Sequence, residues 1–204
     1  MCSSARLLLG SLLLLAGCDR GSKPSPSTGP SAAKDEIKEA RRLLAEAGYP
    51  EGRGLPKLTI LYNTADWHKR IAANIQERWR IVLGVDVELQ NLEWKVFLDR
   101  VHRGDYDIAR RGYTGEYADP HSLLSLFTQD NGMNTTGWTS PEFDRLLAAS
   151  DRESDGAKRF AVLAQAERLL LDEAPMFPIF HYVGHNWLKP FVKGVHPNPR
   201  DMHP

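Results

Sequence analysis

The chain has 204 residues, with 26 basic side chains balancing 26 acidic ones, so it carries neither a basic surface for nucleic acid nor a strongly acidic one. A hydrophobic content of 42% with 9% aromatics is enough for one globular core, and excludes a wholly disordered chain. Lysine and arginine are dispersed, which argues against a nucleic-acid partner.

The first element is not part of that core. "MCSSARLLLGSLLLLAGC" places Arg6 before an apolar run from Leu7 to Leu15, then small residues. That order predicts a secretory signal over residues 1–17, and the run is short for a membrane span. Leu15-Ala16-Gly17-Cys18 resembles a bacterial lipobox. The resemblance implies lipidation of Cys18, cleavage before it and a lipid anchor on the extracytoplasmic, periplasmic side of a membrane. Several acyl chains make a stable anchor where one is marginal. The cysteines are Cys2 and Cys18, so the mature domain is expected to hold no thiol and no disulfide. Residues 18–33 then form a Ser/Pro/Gly-rich tether with an average span of about 20 Å.

Residues 34–204 are expected to fold. "KDEIKEARRLLAEAGY" sets Ile37, Ala40, Leu43, Leu44 and Ala47 at helical spacing before a stop at Gly48. "KLTILYN" reads as a strand. "DWHKRIAANIQERWRIVLG" reads as a helix with Asp66 as N-cap and Ile71, Ile75, Trp79 and Val82 on one face. "VDVELQ" alternates, "EWKVFLDRVHRG" is a short helix, and "YDIAR" is a third strand. Crossovers of this length imply βαβ units and parallel pairing. "SPEFDRLLAAS" starts a helix at Ser140-Pro141, and "AKRFAVLAQAERLLLDEA" carries Phe160, Leu163, Leu170 and Leu171 on one face. In "PMFPIFHYVGHNWLKP" the prolines allow only short or edge strands. The fold class is α/β (α+β), a mixed sheet with flanking helices. Of Trp67, Trp79, Trp94, Trp138 and Trp187, most are expected in the core.

The charged stretch "ARRGYTGEYADPHSLL" begins where the third strand ends, and open α/β sheets bind ligands beyond the carboxyl ends of their strands. A guanidinium at Arg110 takes a carboxylate as a fork, and a carboxylate at Glu116 takes an amine. From these residues alone, a zwitterion site and a structural ion pair both stand. Glu116 with Asp119 also has the composition of a hydrolase pair, but no other motif supports an enzyme. His181 and His185 lack the companions a metal site needs, so no metal and no cofactor is expected.

Several stretches, in order, resemble the periplasmic oligopeptide-binding proteins, the peptide/nickel class of ABC-transporter solute receptors. They are "RRLLAEAGYPEG", "LTILYNTADWHKRIAANIQERWRIVLGVDVELQNLEW", "FLDRVHRGDYDIARRGYTGEYADPHSLL", "NTTGWTSPEFDRLL" and "AERLLLDEAPMFPIFHY", with "VKGVHPNPRDMHP" at the tail. The resemblance implies the C-terminal lobe of a type II periplasmic-binding-protein (Venus flytrap) fold, in truncated form. It implies a non-enzymatic receptor for short peptides that serves an ABC permease in the inner membrane. It places the acid for a peptide's amino end at Glu116, a carboxyl-end arginine at Arg110, a carboxyl-end histidine at His68, and Tyr113 beside the ligand backbone. A second arginine of the family pattern is replaced by Val101. Removing one partner of a desolvated charge pair costs about 2–5 kcal/mol, so Glu116→Gln is expected to remove most binding. The alternative is a non-binding lipoprotein fragment with a structural or partner-dependent role.

Overall fold

A computed structural model describes residues 30–181 and 187–194, so the signal, the lipobox at Cys18 and most of the tether lie outside the described residues, as does His185. Helix α1 (Pro30–Glu46) takes its first turn from the segment read as tether. Strand β1 (Leu58–Asn63) leads through α2 (Asp66–Leu83) to β2 (Val87–Leu92), and α3 (Trp94–His102) leads to β3 (Ile108–Ala109). After the charged loop come a single turn, α4 (His121–Leu124), and then α5 (Pro141–Arg152) and α6 (Gly156–Glu173).

The strands form a parallel sheet in the order β2-β1-β3, with Leu58 beside Val87 and Ile60 beside Ile108. The expected crossovers are present. The antiparallel component of a mixed sheet is not seen among the described residues: 175–181 run without a strand after Pro175 and Pro178. The third strand is shorter than "YDIAR" because Asp107 leaves the ladder and its carboxylate accepts the Thr59 N–H at 3.0 Å.

Both faces of the sheet are covered, as a parallel sheet requires. Ile60, Tyr62, Val85 and Val87 pack with Ala40 and Leu44 of α1 and Ala72, Trp79 and Leu83 of α2. Leu61 points the other way, against Phe97 and Val101 of α3. Val101, fully buried there, belongs to the core rather than to a ligand site. On α2 the fully buried residues are His68, Ala72, Trp79 and Leu83, and Ile75 and Val82 of the expected face pack partly buried against the same core. Asp66 is not the N-cap: Ala65 holds that position, and Asp66 opens the helix with its charge at the positive end.

The end of α2 shows why glycine is needed there. Gly84 has φ 69° and closes the helix in the left-handed region. A Cβ on Gly84 would stand 2.4 Å from the Glu51 carbonyl oxygen, and one on Gly52 would stand 2.2 Å from the Gly84 oxygen. Two backbones touch at this point, and no side chain fits between them.

A second core joins α5 and α6 through Phe143, Leu147, Leu163, Ala166 and Leu170, with Leu124 and Trp138. Ser140 caps α5 as expected, its Oγ accepting the Phe143 N–H at 3.4 Å. Phe160 departs from its expected burial and is 54% exposed, because burial on α6 begins one turn later at Leu163. Of the five tryptophans only Trp79 and Trp138 are core. Trp67, Trp94 and Trp187 are exposed.

Candidate functional site

The carboxyl ends of β1 and β3 open into a cleft of about 420 Å³. Its walls are Asn63 at the end of β1, Trp67 and His68 in the first turn of α2, and Trp94 and Phe97 on α3. Arg110 through Thr114 close the remaining side. This is the crevice that an open parallel sheet leaves where its strands end. A wider hollow of about 700 Å³ lies over β1 and β2, but Lys57 and Glu88 pair with each other across it and Gln76 is spent on the Val87 carbonyl.

Arg110 extends β3 by one bond, its N–H donating to the Leu61 carbonyl at 2.8 Å. That bond fixes the backbone and turns the side chain into the cleft wall. The guanidinium carbon lies 4.2 Å from the centroid of the Trp67 ring, a cation–π contact. Arg110 Nη1 lies 2.7 Å from His68 Nε2, and the other ring nitrogen, Nδ1, lies 3.0 Å from the Asn63 carbonyl oxygen. His68 is buried, and burial first and the Arg110 charge beside it both hold its pKa below the ordinary imidazole value, against the Asn63 bond.

Tyr113 and Trp94 offer half-exposed rings to the same space, and the Trp94 ring stacks on Phe97 at 5.9 Å between centroids. Arg111 turns toward Thr135, whose Oγ1 accepts from its Nη1 at 3.3 Å. The cleft walls named here include no carboxylate.

Thus Arg110, His68 and Tyr113 come together, and Glu116 stands apart from them. Glu116 is exposed and does not line the cleft. Its backbone is fixed, because its N–H donates to the buried Ser122 Oγ at 2.8 Å. Its carboxylate takes no hydrogen bond or ion pair among the described residues, so the ion pair with Arg110 does not form. Asp119 does not pair with Glu116 either. Its two oxygens accept from Arg159 at 2.7 and 3.0 Å, and one also accepts the His121 N–H at 2.9 Å. The Arg159 bonds hold the Asp119 carboxyl below the usual carboxylate range. That is an anchor for the loop rather than an acid–base pair.

Sequence reasoning missed Trp67 and Trp94 as cleft residues. Each stands in the first turn of the helix that follows a strand end, Trp67 after β1 and Trp94 after β2, and that position was the available signal. Among the described residues, no cluster of three metal-ligating side chains occurs, and no helix is long and apolar enough to cross a membrane.

Residues 18–135, more than half of the chain, match the family described as "Bacterial extracellular solute-binding proteins, family 5 Middle". The oligopeptide-binding protein OppA of Bacillus subtilis (strain 168) is 44% identical over 167 residues, 79% of this chain and 30% of that protein. The periplasmic murein peptide-binding protein MppA of Escherichia coli (strain K12) is 37% identical over 185 residues, 89% of this chain and 34% of that protein. The solved structure of Haemophilus influenzae OppA in complex with RPPGFSPFR aligns with a TM-score of 0.75 at 30% identity, over 93% of this chain and 42% of that one. The chain therefore spans about a third of the length of these curated relatives, which are solute-binding proteins rather than enzymes. Its architecture is that of an α/β lobe of the type II periplasmic-binding-protein fold. By sequence match, and by a fold shared over nearly its whole described length, the chain belongs to the bacterial extracellular solute-binding proteins of family 5.

Proposed function

We propose that this chain is a peptide-reading lobe in the substrate-binding component of an ABC transporter for oligopeptide uptake. The observation that carries the reading is the Arg110 guanidinium, held at the wall of a strand-end cleft among Trp67, Trp94 and Tyr113. A peptide ends in a carboxylate, and a guanidinium receives one through two parallel bonds. The flat rings suit the adjoining backbone and side chains, and Glu116, farther along the same loop and outside the cleft, suits the ammonium end.

Calorimetric titration of the full chain with a mixture of short peptides tests this. Saturable heat is expected. C-terminal amidation of the peptides, or Arg110→Gln, is expected to weaken binding by about 2–5 kcal/mol, with the thermal midpoint little changed. No saturable heat from a chain that melts cooperatively would sink the reading. That outcome would favour a lobe whose role depends on a partner, a reading supported by the 94% exposure of Trp187 and 76% exposure of Phe191.

The working location in this proposal is the extracytoplasmic face, with lipid on Cys18 and a permease in the inner membrane. Fractionation checks it: Cys18→Ala should move the protein from the membrane pellet to the soluble fraction. Retention of the variant in the pellet would remove the lipid anchor from the account.

A further inference from the structure

The cleft contains a histidine whose role its position alone does not reveal. His68 sits in the first turn of α2, is 6% exposed, and has a partner on each ring nitrogen. A carbonyl oxygen can only accept, so the 3.0 Å contact to Asn63 requires the proton on Nδ1. A guanidinium can only donate, so the 2.7 Å contact to Arg110 Nη1 requires a lone pair on Nε2. The two contacts together fix one tautomer of a neutral ring. Such a ring has no spare proton for an anion.

We propose that His68 is a positioning residue for Arg110, and that Arg110 alone of the pair receives the ligand's carboxylate. The proposal rests on the peptide reading above and refines it. His68 Nε2 holds one edge of the guanidinium while Trp67 supports its face. The neighbouring Trp67 and His68 rings meet edge to face at 3.9 Å between centroids, so imidazole and indole form one corner around the cation. The chain behind this corner is short and stiff. Asn63 ends β1, β1 carries the Leu61 carbonyl that binds the Arg110 backbone, and His68 returns to the Asn63 carbonyl. One strand end thus sets both the backbone and the side chain of Arg110.

The charged and titratable groups around His68 favour the neutral ring. Arg110 faces it from the end of β3, and Arg111 and Tyr113 lie along the same wall of the cleft. The helix end contributes the positive pole of α2, with Asp66 as the acid of its first turn. Protonation would place an N–H against the guanidinium in place of the lone pair. Capture is therefore expected to weaken as pH falls. A histidine that itself binds the carboxylate as an imidazolium gives the opposite slope.

The experiment is peptide titration of the full chain between about pH 5 and 8, on wild type, His68→Gln and His68→Leu. Gln supplies an amide oxygen as acceptor, whereas Leu fills similar space without one. Leu is expected to lose about 10- to 100-fold in affinity, and Gln to recover most of it, because a hydrogen bond to a charged group is lost and then restored. Wild-type affinity should fall toward acid, and this slope should flatten in His68→Gln. Equal losses in Gln and Leu, or affinity that rises toward acid, would overturn the proposal.

Nitrogen-15 NMR of the imidazole in the free chain separates this proposal from the peptide reading. A neutral Nδ1–H ring at neutral pH whose Nε2 signal shifts in Arg110→Leu, as an acceptor nitrogen that has lost its donor, upholds the hold on Arg110 even if no peptide binds. An imidazolium, or an Nε2–H ring, overturns it even if peptides bind.

Discussion

Two arginines frame the loop between β3 and α4, and their surroundings differ in kind. Arg159, from α6, meets the Asp119 carboxylate as a fork at 2.7 and 3.0 Å, with both side chains about three-quarters covered. Arg110, at the other end of the loop, meets the Nε2 atom of His68 and the face of Trp67. Neither of those groups cancels a positive charge. In the first arrangement charge meets charge, and the product is fixed geometry. In the second, an imidazole nitrogen and an indole face orient a cation at the cleft wall. The loop thus has an anchor at its far end and an oriented cation at its near end, with Tyr113 and Glu116 held between them.

Breaking the anchor gives the largest effect on stability. Arg159→Leu strands a carboxylate that is 21% exposed and removes two charge-assisted bonds, so unfolding in urea at pH 7 should show a loss of about 1.5–3 kcal/mol. The pH dependence has a definite sign. The folded-state pKa of Asp119 lies below its ordinary value of about 4, so its contribution is present above that value. It is lost as pH falls through the folded pKa. The gap between wild type and Arg159→Leu should therefore close in acid. A gap that is constant with pH, or absent at pH 7, would mean that Asp119 and Arg159 are merely neighbours. The contrast with Arg110, whose replacement should alter binding and leave stability nearly unchanged, would then fail.

Most of the fold was legible because it is written in local period. "LTILYN" and "VDVELQ" alternate, α2 and α5 carry apolar stripes, and crossovers of that length leave parallel pairing as the natural arrangement. The limits of β3 were less legible, since Asp107 leaves the ladder through its side chain, a choice no periodicity encodes. Arg110 and Tyr113 could be placed at the cleft because they follow a strand end. Trp67 and Trp94 do the same, but a tryptophan reads first as core. The partner of each charged group was not legible at all. His68 and Arg110 are 42 residues apart, and Asp119 and Arg159 are 40 apart. Only the closing of the chain decides which arginine meets a carboxylate and which an imidazole.

Glu116 sharpens the comparison at its smallest scale. Read from the sequence, its removal should abolish binding, because a desolvated carboxylate opposite a ligand amine is worth about 2–5 kcal/mol. The structure alters the premise. The Glu116 backbone is pinned to Ser122, but its carboxylate stands in solvent outside the cleft that Arg110 lines. An exposed ion pair contributes about 0–1 kcal/mol and is screened by salt. Glu116→Gln should therefore weaken peptide binding by at most about fivefold in this chain, and the difference should vanish as ionic strength rises. The same titration with N-acetylated peptides should show no difference between Glu116→Gln and wild type. A loss as deep as that of Arg110→Gln, insensitive to salt, would show that ligand binding draws Glu116 out of solvent. The loop would then close over the amino end, and the near and far ends of the ligand would be held with equal force.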